Sequence, residues 1–202
     1  KQPPHGPALC VTETRRMGYQ AASFDPPALE LYKDAAYKRR PRFKARTRFY
    51  HSTGIAMLEV KTKDGRGKTV KIRTPYDAGS LYELTESGKT FIEEPTKSLG
   101  SSENLRPTLT SQYQRTTIVD HDTSTRMTCD EYLLCTDWEK QSVAFPYCIL
   151  ETKSSVQPSP FDVWLWDHGL RPQRISKYCT MLAILHPDLP ANKWHRVIKN
   201  YM

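Results

Sequence analysis

Arg42, Lys44, Arg46 and Arg48 fall on alternate residues of the run RPRFKARTRFY, separated by Phe43, Ala45 and Thr47. A β-strand sends successive side chains to opposite faces, so this spacing gathers the cations on one face and apolar or neutral residues on the other. On a helix the same residues would spread around the cylinder and leave no apolar stripe. A row of cations is suited to binding polyanions. Charge alone fits nucleic acid, an anionic membrane surface or a polyphosphate ligand equally. The excess is local: 13 of the 30 Lys and Arg residues, but only two of the 22 acids, lie in Lys38–Arg73. That stretch carries a net +11 where the whole chain carries +8.

The alternation recurs downstream. Glu59 and Lys61 share a face of the segment Ile55–Thr62, opposite Ala56, Leu58 and Val60. Lys71 and Arg73 do so in Lys68–Thr74, opposite Val70 and Ile72. Short connections containing Gly54, Gly65 and Gly67 punctuate the three segments as hairpins. Tyr113 and Arg115 alternate in Ser111–Val119, Arg126 and Asp130 in Thr125–Asp130, and Glu151 and Lys153 in Ala144–Lys153. Two arrangements satisfy this pattern. Either the charged face is bathed in solvent, or the sheet closes into a barrel with charges inside and apolar residues under helices outside. Like charges about 6 Å apart at an effective dielectric near 20 repel by roughly 3 kcal/mol, so an inward crowd of cations requires a polyanion. Carboxylates among them repel phosphate unless a divalent cation intervenes. Glu151 first and Glu59 second are therefore candidate ligands for Mg²⁺ or Mn²⁺, against the plainer reading that each pairs with a neighbouring cation.

These residues need positioning elements. At 202 residues the chain fits one domain, with residues 160–202 as its helical C-terminal part. Met17–Phe24 reads as a strand, Pro27–Tyr37 as a short helix or turn, and Tyr76–Lys97 as containing a short helix. Ser98–Asn104 reads as a polar linker and Asp120–Ser124 as a hairpin loop. Pro160–Gly169, Ser176–Leu185 and Lys193–Tyr201 are expected helices, the first opened by Pro and closed by Gly. Phe161, Trp164 and Trp166 are expected in the core. His51, His121, His168, His186 and His195 are scattered through expected loops and helix ends, and Lys38–Arg40 reads as a solvated run. Five cysteines without CxxC spacing argue against a disulfide framework and a structural zinc site. Reduced thiols and a cytoplasmic location are the expectation, with no membrane span and no signal peptide.

RFKARTRFY, LEVK (Leu58–Lys61), GKTVKIR (Gly67–Arg73), YQR (Tyr113–Arg115), RMTCD (Arg126–Asp130), LETK (Leu150–Lys153) and ISKY (Ile175–Tyr178) resemble the VTC domain in order and spacing. ASFDPPALELYKD (Ala22–Asp34) is similar to the segment ahead of that family's basic hairpin. This is the polyphosphate polymerase domain of the vacuolar transporter chaperone complex, which has stand-alone bacterial relatives. The resemblance implies an α+β fold of the CYTH-like superfamily: an antiparallel β-barrel, the triphosphate tunnel, with flanking and C-terminal helices. It also implies transfer of the ATP γ-phosphoryl group to a growing polyphosphate chain with Mn²⁺ or Mg²⁺. Catalytic roles would fall to Arg46, Arg48, Lys61, Lys71, Arg115, Arg126 and Lys177. Lys44, Arg73, Tyr113, Lys153, Arg174 and Ser176 would bind substrate, and Glu151 and Glu59 would hold metal. A metal-dependent triphosphatase and a non-catalytic polyphosphate-binding subunit are the alternatives. Nucleic acid ranks last as a partner, because Phe43 and Phe49 alternate away from the cations and cannot offer bases a stack beside them. Three departures stand out: no strand bearing a Lys-Tyr pair is found before residue 17, Ser23 stands where Tyr is usual, and Pro26 stands where Thr is common.

Overall fold

The computed structural model describes residues 16–97, 99, 104–120, 125–155 and 158–202. The element order is β1 (Arg16–Asp25), α1 (Glu30–Ala36), β2 (Arg42–Tyr50), β3 (Ile55–Lys63), β4 (Thr69–Tyr76) and α2 (Glu86–Thr96). Then follow β5 (Arg106–Asp120), β6 (Thr125–Asp137), β7 (Ser142–Phe145), β8 (Ile149–Lys153), α3 (Pro160–Asp167), α4 (Lys177–Leu185) and α5 (His195–Tyr201). The strands form one antiparallel sheet in the order β4-β3-β2-β1-β5-β6-β7, with β8 also on β6.

The basic hairpins form as the alternation predicts. Gly54 at φ 67° and Gly67 at φ 90° close the two turns in a region that side-chain-bearing residues rarely enter. Register puts Lys44 opposite Lys61, Arg46 opposite Glu59, and Glu59 opposite Arg73. Phe43, Ala45, Leu58 and Val60 project the other way and are buried with Ala22, Phe24 and Ile92 of α2. Helix α2 thus covers the convex apolar face. Its N-cap Thr85 accepts the Gly88 N–H.

The other half of the sheet departs from the expected pattern. Leu109, Tyr113, Leu133, Cys135, Phe145 and Ile149 form one core with Cys179, Met181 and Leu182 of α4. Cys135 lies opposite Ser111 and Val143, so this apolar surface shares the face that bears Arg115 and Tyr113. Helix α4 therefore lies against the concave face, and the charges occupy only part of it. Closure differs from expectation as well. Among the described residues no backbone ladder joins β4 to β7 or β8, so the sheet is curled and tunnel-like, not a closed barrel.

Expected segment Ala144–Lys153 is two strands. Pro146, without an N–H to donate, separates β7 from β8. The register steps by one residue there: Leu133 pairs with Phe145 but Asp130 with Ile149, beside Tyr132 at φ 55°. Strands β5 and β6 run well beyond the expected hairpin. Phe161 is buried as expected, but Trp164 and Trp166 are half-buried, and the tryptophan in the core is Trp194. Lys38–Arg40 are exposed. Residues 121–124, most of the expected linker 98–104, Cys10 and the segment ahead of residue 16 lie outside the described residues. No described helix is long and apolar enough to cross a membrane.

Candidate functional site

Three tyrosines form one row across the centre of the sheet: Tyr50 on β2, Tyr19 on β1 and Tyr113 on β5. Tyr19 and Tyr113 stack with centroids 5.2 Å apart at 3°. Arg48 and Arg115 lie over the Tyr19 ring at 5.6 and 5.3 Å, and Lys177 lies over Tyr113 at 4.9 Å. The ring faces carry negative potential, so they attract these cations. Tyr19 was legible only as a member of a strand; its alternation with Met17 and Ala21 is the signal that places it on this face.

Asp130 organises one side. It is 1% exposed and accepts from Arg115 Nε at 2.5 Å and a second Arg115 nitrogen at 2.7 Å. Lys177, from the first position of α4, also donates to it. Burial alone would raise the Asp130 carboxyl, but these two cations hold it below the usual range. Burial pulls Lys177 down despite Asp130. Asp130 belongs to the charged alternation with Arg126, yet sequence assigned it no role.

Glu59 organises the other side. Its carboxylate, 2% exposed, accepts from Arg46 Nε at 2.7 Å and from a second Arg46 nitrogen at 2.6 Å. Its other oxygen accepts from Lys71 at 2.5 Å. Both oxygens are thus committed to cations, the arrangement of an ion-pair organiser and not of an open metal ligand. Burial raises the Glu59 carboxyl, but Arg46, Arg48 and Lys71 more than offset this and hold it at about 2. A depressed carboxyl contributes stability above its unfolded value, and that contribution disappears as pH falls from about 4.5 toward 2. With the half-exposed ends of Arg46 and Lys71 allowed for, it is worth about 2–3 kcal/mol. Glu59→Gln should therefore be less stable than the parent at pH 6 in urea titrations, with the gap narrowing below pH 3. A gap independent of pH would refute this assignment.

The two sides face one another. Burial, then the charges of Lys153 on β8 and Lys44 on β2, lower the Lys61 ammonium, while Glu151 raises it. Strands β3 and β8 lie on opposite sides of β1 in the sheet order, so this interaction arises across the concavity. Glu151 likewise feels Lys153, Arg115 and Lys177, which outweigh burial and depress its carboxyl. The side chain is 51% exposed, with Lys153 at 3.2 Å. Arg73 and Arg126 are exposed on β4 and β6, the latter opposite Lys153. Arg174 is exposed ahead of α4, and Ser176 caps that helix by accepting the Cys179 N–H. Next to Lys177, Tyr178 donates to the fully buried Asp25, which also accepts the Leu31 and Tyr32 N–H groups at the start of α1. This buried carboxylate, unnoticed in the sequence, fixes α4 to β1.

Among the described residues, two buried polar atoms on the concave face have no hydrogen-bond partner. Arg48 is 8% exposed, its Nε has no hydrogen-bond partner, and among the described residues it forms no ion pair. Burial lowers the Arg48 guanidinium, but the Tyr113 and Glu59 fields outweigh it and leave it raised, firmly charged. The Thr128 hydroxyl is buried without a partner as well, opposite Glu151. A separate acidic group, Asp137, Glu139 and His186, has ligand-type atoms within 4.8 Å of one another. There Asp137 already accepts the Glu139 and Gln141 N–H groups and bonds His186, joining the β6 end to the α4 C-cap.

A curled antiparallel sheet with helices on both faces and a concave row of cations is a tunnel-like α+β fold. Within it, the chain belongs to the VTC domain family, whose sequence profile matches residues 4–186. A candidate adenylyl cyclase of Hippeastrum, HpAC1, described as having a dominant triphosphatase activity, is similar in structure at TM-score 0.50 and 13% identity, over 84% of this chain and 83% of that one. A candidate adenylate cyclase of Bacillus halodurans aligns at TM-score 0.49 and 10% identity, over 82% of each chain. No curated protein matches the sequence.

Proposed function

We propose that the groove binds the triphosphate of ATP and transfers its γ-phosphoryl group to a polyphosphate chain. The observation carrying this reading is Arg48: a buried, charged guanidinium that among the described residues forms no ion pair and leaves Nε without a hydrogen-bond partner, beside Arg46 and Arg115. A buried charge left unpaired is costly, so a site that keeps one is built for an anion that arrives later. Phosphoryl transfer requires in-line positioning and neutralisation of charge on the phosphate oxygens more than covalent help from the protein. Arg46, Arg48 and Arg115 bind and orient those oxygens, Lys61, Lys71 and Lys153 neutralise the ends, and Lys177 meets the phosphate from the start of α4. Arg73, Arg126, Lys44 and Arg174 extend the basic surface, with Tyr113 beneath it and Ser176 holding α4 in position. Glu151 and the orphaned Thr128 hydroxyl are hard oxygen donors and fit one Mg²⁺ or Mn²⁺, which would neutralise phosphate charge when bound. Glu59 fits less well because both of its oxygens are occupied.

Hydrolysis is the second reading, favoured by the triphosphatase activity of the Hippeastrum neighbour: the same groove hydrolyses if water takes the acceptor's place. Incubation with ATP and Mn²⁺, with separate assays for chain product and orthophosphate, divides the two. Chain product is expected; orthophosphate alone would move the assignment to triphosphatase, and neither product to a binding subunit. Glu151→Gln should erase the extra thermal stabilisation that Mn²⁺ adds to inorganic triphosphate while retaining the metal-free part. Equal Mn²⁺ dependence in parent and variant would remove Glu151 from the metal site.

A further inference from the structure

Lys177 reaches the groove from the first position of α4, and contacts at both ends of the residue set where it stands. Its ammonium donates to Asp130 and lies over the Tyr113 ring. Its backbone is held by the next residue. The Tyr178 hydroxyl donates to Asp25 Oδ2 at 2.5 Å, and the Tyr178 ring packs edge-on against the fully buried Tyr32, centroids 6.3 Å apart at 81°. Asp25, 0% exposed, is itself immobilised. Its Oδ2 also accepts the Tyr32 N–H at 2.8 Å, and its Oδ1 accepts the Leu31 N–H at 2.9 Å. These are acceptors that the α1 N-cap, Leu29, does not supply from its own side chain. Tyr32 in turn donates its hydroxyl to the Pro190 carbonyl at 3.1 Å. The first turn of α4 is thereby tied to the last residue of β1 and the start of α1.

We propose that Asp25 is a positioning residue: acting through Tyr178, it fixes the backbone from which Lys177 reaches phosphate. This role rests on the phosphate-binding reading of the groove. An arriving phosphate competes with Asp130 for the Lys177 ammonium, so the Asp130 bond alone does not keep Lys177 in place once ligand is bound. The Tyr178–Asp25 bond engages neither the ammonium nor the ligand and persists through that exchange. The lysine stem is long and flexible, and a fixed backbone origin narrows the volume its ammonium samples. Ser176 cannot do this, because it accepts the Cys179 N–H and so shapes the helix turn without attaching it to the sheet.

Calorimetric binding of inorganic triphosphate to the whole protein, Tyr178→Phe, Lys177→Met and the double variant tests the role. Tyr178→Phe keeps the ring against Tyr32 and removes only the hydroxyl; it should weaken binding roughly 10-fold. In the Lys177→Met background the same substitution should change affinity by less than about 2-fold, because the ammonium it positions is gone. An equal loss in both backgrounds would make Tyr178 general support for the fold, and no loss in either would make its hydroxyl idle; both overturn the proposal. Asp25→Asn, nearly the same in shape, should show the same dependence on Lys177, and an effect absent or indifferent to Lys177 would overturn the role of Asp25. Urea unfolding without ligand is the second readout. The stability lost on Lys177→Met, which reports its bond to Asp130, should be smaller by roughly half in Tyr178→Phe than in the parent, and equal losses would count against positioning. If the parent binds no triphosphate, the functional reading fails, and the urea comparison still decides whether Tyr178 positions Lys177.

Discussion

Asp130→Ala should cost the protein roughly 3–5 kcal/mol, the range for removing one partner of a buried ion pair. In a chain of this size that lowers the melting temperature by on the order of 10 °C. The cause is what remains: Arg115 and Lys177 stay charged, largely buried and deprived of the carboxylate that both address. Arg115→Met in the same background should recover part of the loss, because one uncompensated charge then disappears. Urea unfolding of the single and double variants measures this directly. A penalty below about 1 kcal/mol for Asp130→Ala would mean that solvent already screens the cluster and that Asp130 organises nothing.

Arg48→Met should act in the opposite sense. Without ligand the variant should be as stable as the parent or more so, because a buried guanidinium with an orphaned Nε is replaced by an apolar side chain. Affinity for inorganic triphosphate should nevertheless fall roughly 100-fold, about 3 kcal/mol of charge-assisted hydrogen bonding. Calorimetric binding and thermal melts on the same sample separate the two effects. A variant that is destabilised but binds triphosphate normally would mean that Arg48 is a structural cation and that the anion lies elsewhere. Asp130 and Arg48 thus divide the groove's cations into those directly ion-paired in support of the fold and one that keeps an unused hydrogen-bond donor for a ligand.

Much of this arrangement was legible in the residues. Alternation placed β2, β3 and β4 within two residues of their ends, because each is a regular two-faced strand bounded by turns containing glycine. The same period brought Arg46, Arg48, Lys61, Lys71 and Arg115 to one face. Periodicity does not report what covers a face. Leu133, Cys135 and Phe145 alternate as well as any convex-face residue, yet α4 lies on their side and fills part of the concavity. Local pattern also missed the step at Pro146, since one extra residue changes pairing without changing composition. The role of Glu59 depended on reach. Its neighbours in sequence are Leu58 and Val60, and the cations that occupy its oxygens come from β2 and β4. Asp25 escaped notice for a similar reason: its partners lie on α1 and, 153 residues away, on α4.

The position of β1 has a consequence for assembly. Strands β2–β4 and β5–β7 are each meanders whose successive members are neighbours in sequence, and β8 pairs back onto β6, but among the described residues the two groups are joined in the sheet only through β1, where Ala21 lies between Arg48 and Ser111. Closing the long chain loop from β1 to β5 is entropically expensive and contributes the non-local contacts that slow folding. An anion held between Arg48 and Arg115 bridges that same seam, so ligand would reinforce the junction the chain finds hardest to make.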